Sequence, residues 1–518
     1  MSSSNDSVES LDLRGKFDTV TDAQEDDEDA RAGELQDQEY GQPFANLTHS
    51  SFSRATIKLK SSLTGSQFLK LFPIPIQSLL CRSSSNKPEC PPRSTAWLDG
   101  IRGCAALVVF LEHLSISVQN SHAMLRAYGS PGATSLWQLP IIRLLYAGSP
   151  MVPIFYVTSG CALSLKPVAH IHKEEWEYFG ITISSATFRR AFRLFLPSAA
   201  ISFVAMLFTQ MGIYGHPYPF IEDNAILIDR PQLLPNIASQ YVDWLNWVAT
   251  NLLYSEEMFQ PLSRTTISNY GFQLWTIATE FYASLALFIT LAGLAHLKVS
   301  GRQVLVACLC AFAFFVDRWD IACFIAGITV SELFILKRGP QKSRRESESL
   351  PIYISGKTFL SRLRMSRYGF ALLFVAGLFI ASYPFKQASE NFIYRPFSAI
   401  IDSVRFWESM GAVFLLVSVS QLSFMRRLLT SAIPRYLGRI SYGLYLTHVV
   451  FLNAFGWMVV PWIWKLTGDE GWGRQGGFAI GLVINLGLSV WIADVWTRTV
   501  DEPCVRLAKG VEQWATSK

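Results

Sequence analysis

Arg102 and His113 lie eleven positions apart in one apolar stretch, "LDGIRGCAALVVFLEHLSIS" (98–117). On a helix this spacing ends about 20° past three full turns, so both side chains share one face, about 16 Å apart along the axis. An imidazole, with an ordinary pKa near about 6.5, suits the removal of a proton from an attacking hydroxyl. A guanidinium suits the holding of phosphate or carbonyl oxygens. Glu112 adds a third ionisable group, but it points about 100° away from His113. Each such group in hydrocarbon costs about 2.5–3.5 kcal/mol on insertion scales, so keeping all three calls for partners or a function. The plain alternative is a snorkelling arginine beside an unrelated core histidine.

Other residues supply parts for the same chemistry. In a dry site an imidazolium needs a nearby carboxylate, and Glu280, in "LWTIATEF" (274–281), is the preferred partner for His113. Glu112 reads instead as a group paired by its own neighbours. Arg190 and Arg193, in "FRRAFR" (188–193), stand at i and i+3, where they can grip phosphate together or simply anchor a helix end. Ser159-Gly160 allows a second helix to approach closely, and the hydroxyl can donate to the site; packing explains it equally well. "SYGLYLTH" (441–448) sets Ser441, Tyr445 and His448 on one helix face. His448 either lines the acceptor path with Tyr445 or is a satisfied core histidine, and the sequence leaves both open. The histidines at 49, 122, 170, 172, 216 and 296 fall in loops or at helix ends and are expected in water. HxxEH-type spacing is absent, so no metal is expected.

The elements that must position these groups are membrane helices. The chain has 518 residues, of which 50% are hydrophobic, with 15 Trp and 36 Phe, and long apolar runs follow one another. That excludes an ordinary soluble enzyme and predicts an all-α polytopic membrane protein. Ten runs are counted, at about 99–121, 141–165, 194–213, 270–296, 303–317, 320–337, 368–384, 405–424, 438–464 and 477–499. The run at 303–317 is short for a hydrocarbon core about 30 Å thick. Four basic connections, 188–193, 337–346, 357–367 and 426–439, fall on one side of a ten-span topology, which places both termini in the cytosol. Residues 1–94 are expected to form a disordered tail with an acidic run at 22–39 and a segment at 66–82 that can lie on the membrane. No cleavable signal peptide is expected, and Asn46-Leu47-Thr48 would accept a glycan only outside the cytosol. Residues 95–507 form the membrane domain, and 508–518 a short cytosolic tail. The eight cysteines include no CxxC pair and read as small apolar residues.

The motifs in order resemble the acyltransferase 3 family, integral membrane enzymes that acylate hydroxyls. Arg102-x10-His113 is similar to its first-helix signature. "GSPMVPIFYVTSG" (148–160), "RRAFRLFLP" (189–197), "LWTIATEF" and "ISYGLYLTH" (440–448) resemble its later stretches, and "DEPCVRL" (501–507) its closing Glu-x-Pro, compacted to Glu502-Pro503. The resemblance covers about residues 95–507. It implies an O-acyltransferase, with an acetyl group as the first expectation, that draws on cytosolic acyl-CoA. His113, Arg102 and Glu280 would be catalytic; Arg190, Arg193 and Ser159 would bind the donor. Arg102 would hold the thioester or pantetheine end and stabilise the oxyanion. The acceptor is a hydroxyl-bearing small molecule, lipid or glycan, and direct attack and an acyl-histidine both remain open. The bilayer is the expected partner, nucleic acid is not. The rival class is a proton-coupled transporter using Arg102, His113 and Glu280 as a relay, although no internal repeat relates the two halves.

Overall fold

The computed structural model describes residues 93–118, 124–215, 230–253, 270–338 and 366–517. The tail, the segment at 66–82, the glycan acceptor and most of the basic connections at 337–346 and 357–367 lie outside the described residues. Every regular element among those described is a helix. In chain order these are α1 (Ala96–Val118), α2 (Met151–His172), α3 (Trp176–Gln210), α4 (Ile237–Trp247), α5 (Trp275–Leu294), α6 (Val299–Phe315) and α7 (Trp319–Arg338). They continue with α8 (Arg367–Ala381), α9 (Arg395–Ile400), α10 (Val404–Gln421), α11 (Ser423–Leu429), α12 (Ala432–Phe451), α13 (Trp457–Thr467), α14 (Gly471–Trp496) and α15 (Glu502–Thr516). The chain is an all-α, multi-pass membrane protein.

Each of the ten apolar runs coincides with a helix, but their bounds and lengths differ from expectation. Among the described residues six helices are long and apolar enough to span: Met151–His172, Trp176–Gln210, Phe272–Leu294, Trp319–Lys337, Ala432–Thr467 and Gly471–Thr516. A seventh forms if α10 and α11, bent by 100°, are one span. The expected count of ten is reached only by adding α1 and the shorter α6 and α8. The run at 141–165 starts its helix at Met151, because 3-10 turns at Leu136–Gln138 and Ile142–Leu145 precede Pro150. Buried Arg143 holds that segment down by donating to the Ser382 and Tyr383 carbonyls, 2.7 and 3.0 Å away, at the end of α8. α3 begins at Trp176, well before its apolar run, and carries Arg189, Arg190 and Arg193 within one continuous helix. α15 runs through the boundary expected at residue 507.

The two largest buried clusters among the described residues surround the site. One joins α1, α2, α5, α7 and α10, the other α3, α4, α5 and α12. Glycine brings the backbones together where the site needs it. A Cβ on Gly103 would lie 2.3 Å from the Gly438 nitrogen, so α1 and α12 touch one residue from Arg102. Likewise a Cβ on Gly160 would lie 2.3 Å from the Phe324 carbonyl oxygen, which seats α2 on α7 beside Ser159.

Candidate active site

The α1/α12 contact carries a polar group near each end of its shared face. Toward the far end, His113 Nδ1 lies 2.7 Å from His448 Nε2. Their rings are within 14° of parallel with centroids 5.0 Å apart. With the nitrogens so close, that separation is an edge-to-edge hydrogen bond in one plane, not a face stack. His448 Nδ1 is 2.9 Å from the Leu444 carbonyl, four residues back on its own helix. A carbonyl only accepts, so His448 carries its proton on Nδ1 and its Nε2 accepts from His113 Nδ1–H. The neutral His113 then keeps its basic lone pair on Nε2. Phe272 packs edge-on against the His113 ring at 5.1 Å, and His448 is 1% exposed. His448 is therefore a satisfied buried histidine and also the direct partner of His113.

Glu280 is not that partner. Arg190 Nη2 donates to Glu280 Oε1 at 2.6 Å, and Ser159 Oγ donates to the same oxygen at 2.9 Å. The reason is helical distance: Phe272 touches His113, and Glu280 comes eight residues later, about 12 Å further along the span Phe272–Leu294. The imidazolium partner expected to be a carboxylate is an uncharged imidazole instead. Arg190 also departs from expectation, since it is buried and tied to Glu280, whereas Arg193 is exposed. The two do not present as an equivalent pair.

Around Glu280 the polar groups converge. Arg102, Tyr156, Ser159, Thr276, Glu280, Ser441, Tyr442 and Tyr445, with Val152 and Phe155, line a cavity of about 30 Å³, room for roughly one water. Arg102 Nε and Arg190 Nε are buried without hydrogen-bond partners. Tyr445 closes the side toward His448: its hydroxyl donates to the Gln273 carbonyl at 2.7 Å and lies 2.6 Å from Thr276 Oγ1. A polar seam thus leads from the arginines, past Tyr445, to the histidine pair three residues further along α12.

Glu112, the third charge of the opening stretch, serves the scaffold. The Ser149 backbone N–H, just before α2, donates to its Oε1 at 3.4 Å, and a Cβ on Gly148 would sit 2.5 Å from its Oε2. Three groups escaped the sequence reading. His172 is not in water: its Nε2 lies 2.5 Å from Glu332 Oε1, and Arg302 grips the same carboxylate through Nε and Nη2 at 3.0–3.1 Å. Arg302 and Glu332 could have been found as charges bounding or interrupting apolar runs, by the argument applied to Arg102. Asp501 is the third: it is 9% exposed, and Oδ1 is buried without a hydrogen-bond partner. It stands two residues before Pro503, at the Glu-x-Pro spacing, while Glu502 pairs with Arg439 at 3.1 Å. Among the described residues no group of three or more His, Cys, Asp or Glu could hold a metal ion.

The family described as an acyltransferase domain matches residues 95–494, which contain both ends of this seam. The chain belongs to the acyltransferase 3 family. It is 26% identical to "Acyltransferase R4" of Phoma sp. over 76% of this chain and 90% of that protein. It is 29% identical to "O-acetyltransferase PaAT-1" of Phomopsis amygdali over 70% and 73%, and 25% identical to "Acyltransferase clz18" of Cochliobolus lunatus over 79% and 94%. No solved structure matches it. As an acyltransferase 3 protein, the chain places its Arg-x10-His signature on α1, facing α12 throughout.

Proposed function

We propose that this acyltransferase moves an acyl group, acetyl first, from cytosolic acyl-CoA to the hydroxyl of a small-molecule, lipid or glycan acceptor. The observation that carries the reading is the in-plane chain from Leu444 O through His448 to His113, which leaves a lone pair on His113 Nε2. The acceptor O–H gives its proton to that nitrogen as its oxygen attacks the thioester carbonyl. The departing CoA sulfur then takes the proton from the imidazolium. While His113 is charged, its Nδ1–H donates to neutral His448, which spreads the charge without a buried carboxylate.

Arg102 binds the donor in this reading but does not reach the oxyanion. About 16 Å of helix separates it from His113, and its Cβ tilts toward the N-terminus, away from the histidine. A pantetheine arm is long enough to cover that gap, running from Arg102 past Ser159 and Tyr445 to the histidines. The arginines at the near end hold the phosphates, which puts that end and both termini on the cytosolic side.

The test is transfer itself. Purified full-length protein in lipid nanodiscs is incubated with labelled acetyl-CoA and an extract of its source cells, and released CoA is counted against labelled ester. Equal amounts of both support the reading. Donor consumption at the level of a protein-free control overturns it, and proton movement without ester would favour a transporter.

A further inference from the structure

A second cavity, of about 520 Å³, opens between α12–α13 and α14, and none of the site residues described above lines it. It begins one turn beyond the histidine pair. Phe451 and Leu452, which line it, follow His448 by three and four residues, so they share its side of the helix about 4.5–6 Å further along the axis. Its depth matches as well. A Cβ on Gly443 would lie 2.6 Å from Thr497 Oγ1, and one on Gly456 would lie 2.8 Å from Asn485 Oδ1. His448 falls between those two contacts, and the facing wall of the cavity runs from Asn485 to Thr499. Both walls include a π-turn, Leu452–Gly456 in one and Thr497–Asp501 in the other. A π-turn carries an extra residue, so side chains beside it fall out of the register that interlocks two helices and leave a gap.

The lining suits one kind of occupant. Leu452 is buried in the cluster that also holds Phe110 and Leu114, on either side of His113. Phe455, Leu488 and Trp491 are exposed, and on the spans Ala432–Thr467 and Gly471–Thr516 such a rim faces lipid. A sugar would have to cross hydrocarbon to enter, whereas an apolar molecule arrives by partitioning into the bilayer. Buried Asn485 adds one polar group. Its Nδ2 donates to the Gly481 and Gly456 carbonyls at 2.9 and 3.3 Å. Carbonyls only accept, so the amide orientation is fixed, and Oδ1 accepts no hydrogen bond from any described residue. A lipid acyl chain leaves that oxygen unmet; an O–H or N–H answers it. Apolar cavities of about 300–1,000 Å³ with a few placed polar groups take molecules of drug size. We infer that this cavity holds the apolar body of the acceptor, a lipophilic small molecule that enters from the bilayer and carries the reacting hydroxyl and one further O–H or N–H for Asn485. This narrows the acceptor of the transfer reading above and rests on that reading.

The experiment divides an extract of the source cells into ethyl-acetate-soluble and aqueous fractions and offers each, with labelled acetyl-CoA, to full-length protein in nanodiscs. Labelled ester should come from the ethyl-acetate fraction. Ser489→Phe places a ring in the cavity from α14, and Val459→Phe does so from the opposite wall, which keeps the test open if one variant fails to fold by thermal melting. Each should raise the half-saturating amount of that fraction about tenfold or more, the weight of about two displaced methylene groups. The half-saturating acetyl-CoA concentration should not move. Asn485→Leu should raise the requirement for the fraction about two- to tenfold, the worth of one hydrogen bond. An acyl chain would bind the leucine-lined cavity at least as well. Ester formed only from the aqueous fraction overturns the inference and leaves the transfer reading standing. So does an unchanged requirement in the folded filling variants or in Asn485→Leu, which would leave the cavity to bilayer lipid. If neither fraction yields ester, the transfer reading falls and the inference goes with it.

Discussion

Arg302–Glu332 and Arg190–Glu280 are both buried arginine–glutamate pairs, and they are built differently. Arg302 meets Glu332 through three contacts of 3.0–3.1 Å, adds the Leu297 carbonyl, and shares the carboxylate with His172. The side chains are 2% and 0% exposed. Arg190 meets Glu280 through one contact, its Nε is unmet, and the side chains are 9% and 16% exposed beside a cavity. A fully satisfied pair fastens α6 to α7 and the end of α2. The incompletely satisfied one borders a cavity lined by Arg102, as the proposed donor site requires. Intramembrane charge alone therefore does not identify a site; what separates these two pairs is unmet hydrogen-bonding capacity beside a cavity.

The contrast can be broken most forcefully at Glu332. Glu332→Ala leaves Arg302 charged and buried alone and should cost about 3–5 kcal/mol of stability. The expected outcome is a sharp fall in folded protein, read by thermal melting in detergent. Glu280→Gln keeps hydrogen bonds to Ser159 and Arg190 and should cost about 1–3 kcal/mol while lowering turnover. A larger stability loss at Glu280 than at Glu332 would reverse the assignment of the two pairs.

Arg102→Lys sharpens the same distinction within the site. Lysine would snorkel equally well, but its ammonium cannot reproduce a forked contact with the donor. Product formation should fall about tenfold or more with membrane abundance unchanged, since a charge-assisted contact is worth about 1.5–3 kcal/mol. Full activity would return Arg102 to an anchoring role. Tyr445→Phe should have the smallest effect. It removes the hydroxyl between Gln273 and Thr276, which should lower stability by about 0.5–1.5 kcal/mol. Turnover should hold, because the aromatic wall of the seam remains, and a loss matching that of Arg102→Lys would make the hydroxyl part of the chemistry.

What was legible in the sequence follows the range of the interactions. Arg102 and His113 share a face because helical periodicity is local, and Ser441, Tyr445 and His448 follow for the same reason. The join between these faces was not legible, because the α1/α12 register depends on Gly103 and Gly438 meeting. Glu280 was assigned to His113 because both are charges expected in one dry site; the level of Phe272, just before α5, separates them. His172 read as a solvated helix end because its partner, Glu332, lies 160 residues away. Asp501, beside Glu502 and Pro503, resembles any acidic loop residue until the π-turn buries it. The span count suffers likewise, since α6 and α8 are short and α10 turns through 100° into α11.

The central claim is that His113, with its proton placed by His448, takes the acceptor proton. It is tested most directly by ester formation from labelled acetyl-CoA with purified His113→Ala beside the unsubstituted protein. General-base loss predicts a fall of about 10²–10⁴ in rate. CoA affinity and membrane abundance should be unchanged, because the donor's phosphates are held about 16 Å away. Turnover by His113→Ala equal to that of the unsubstituted protein would contradict the account.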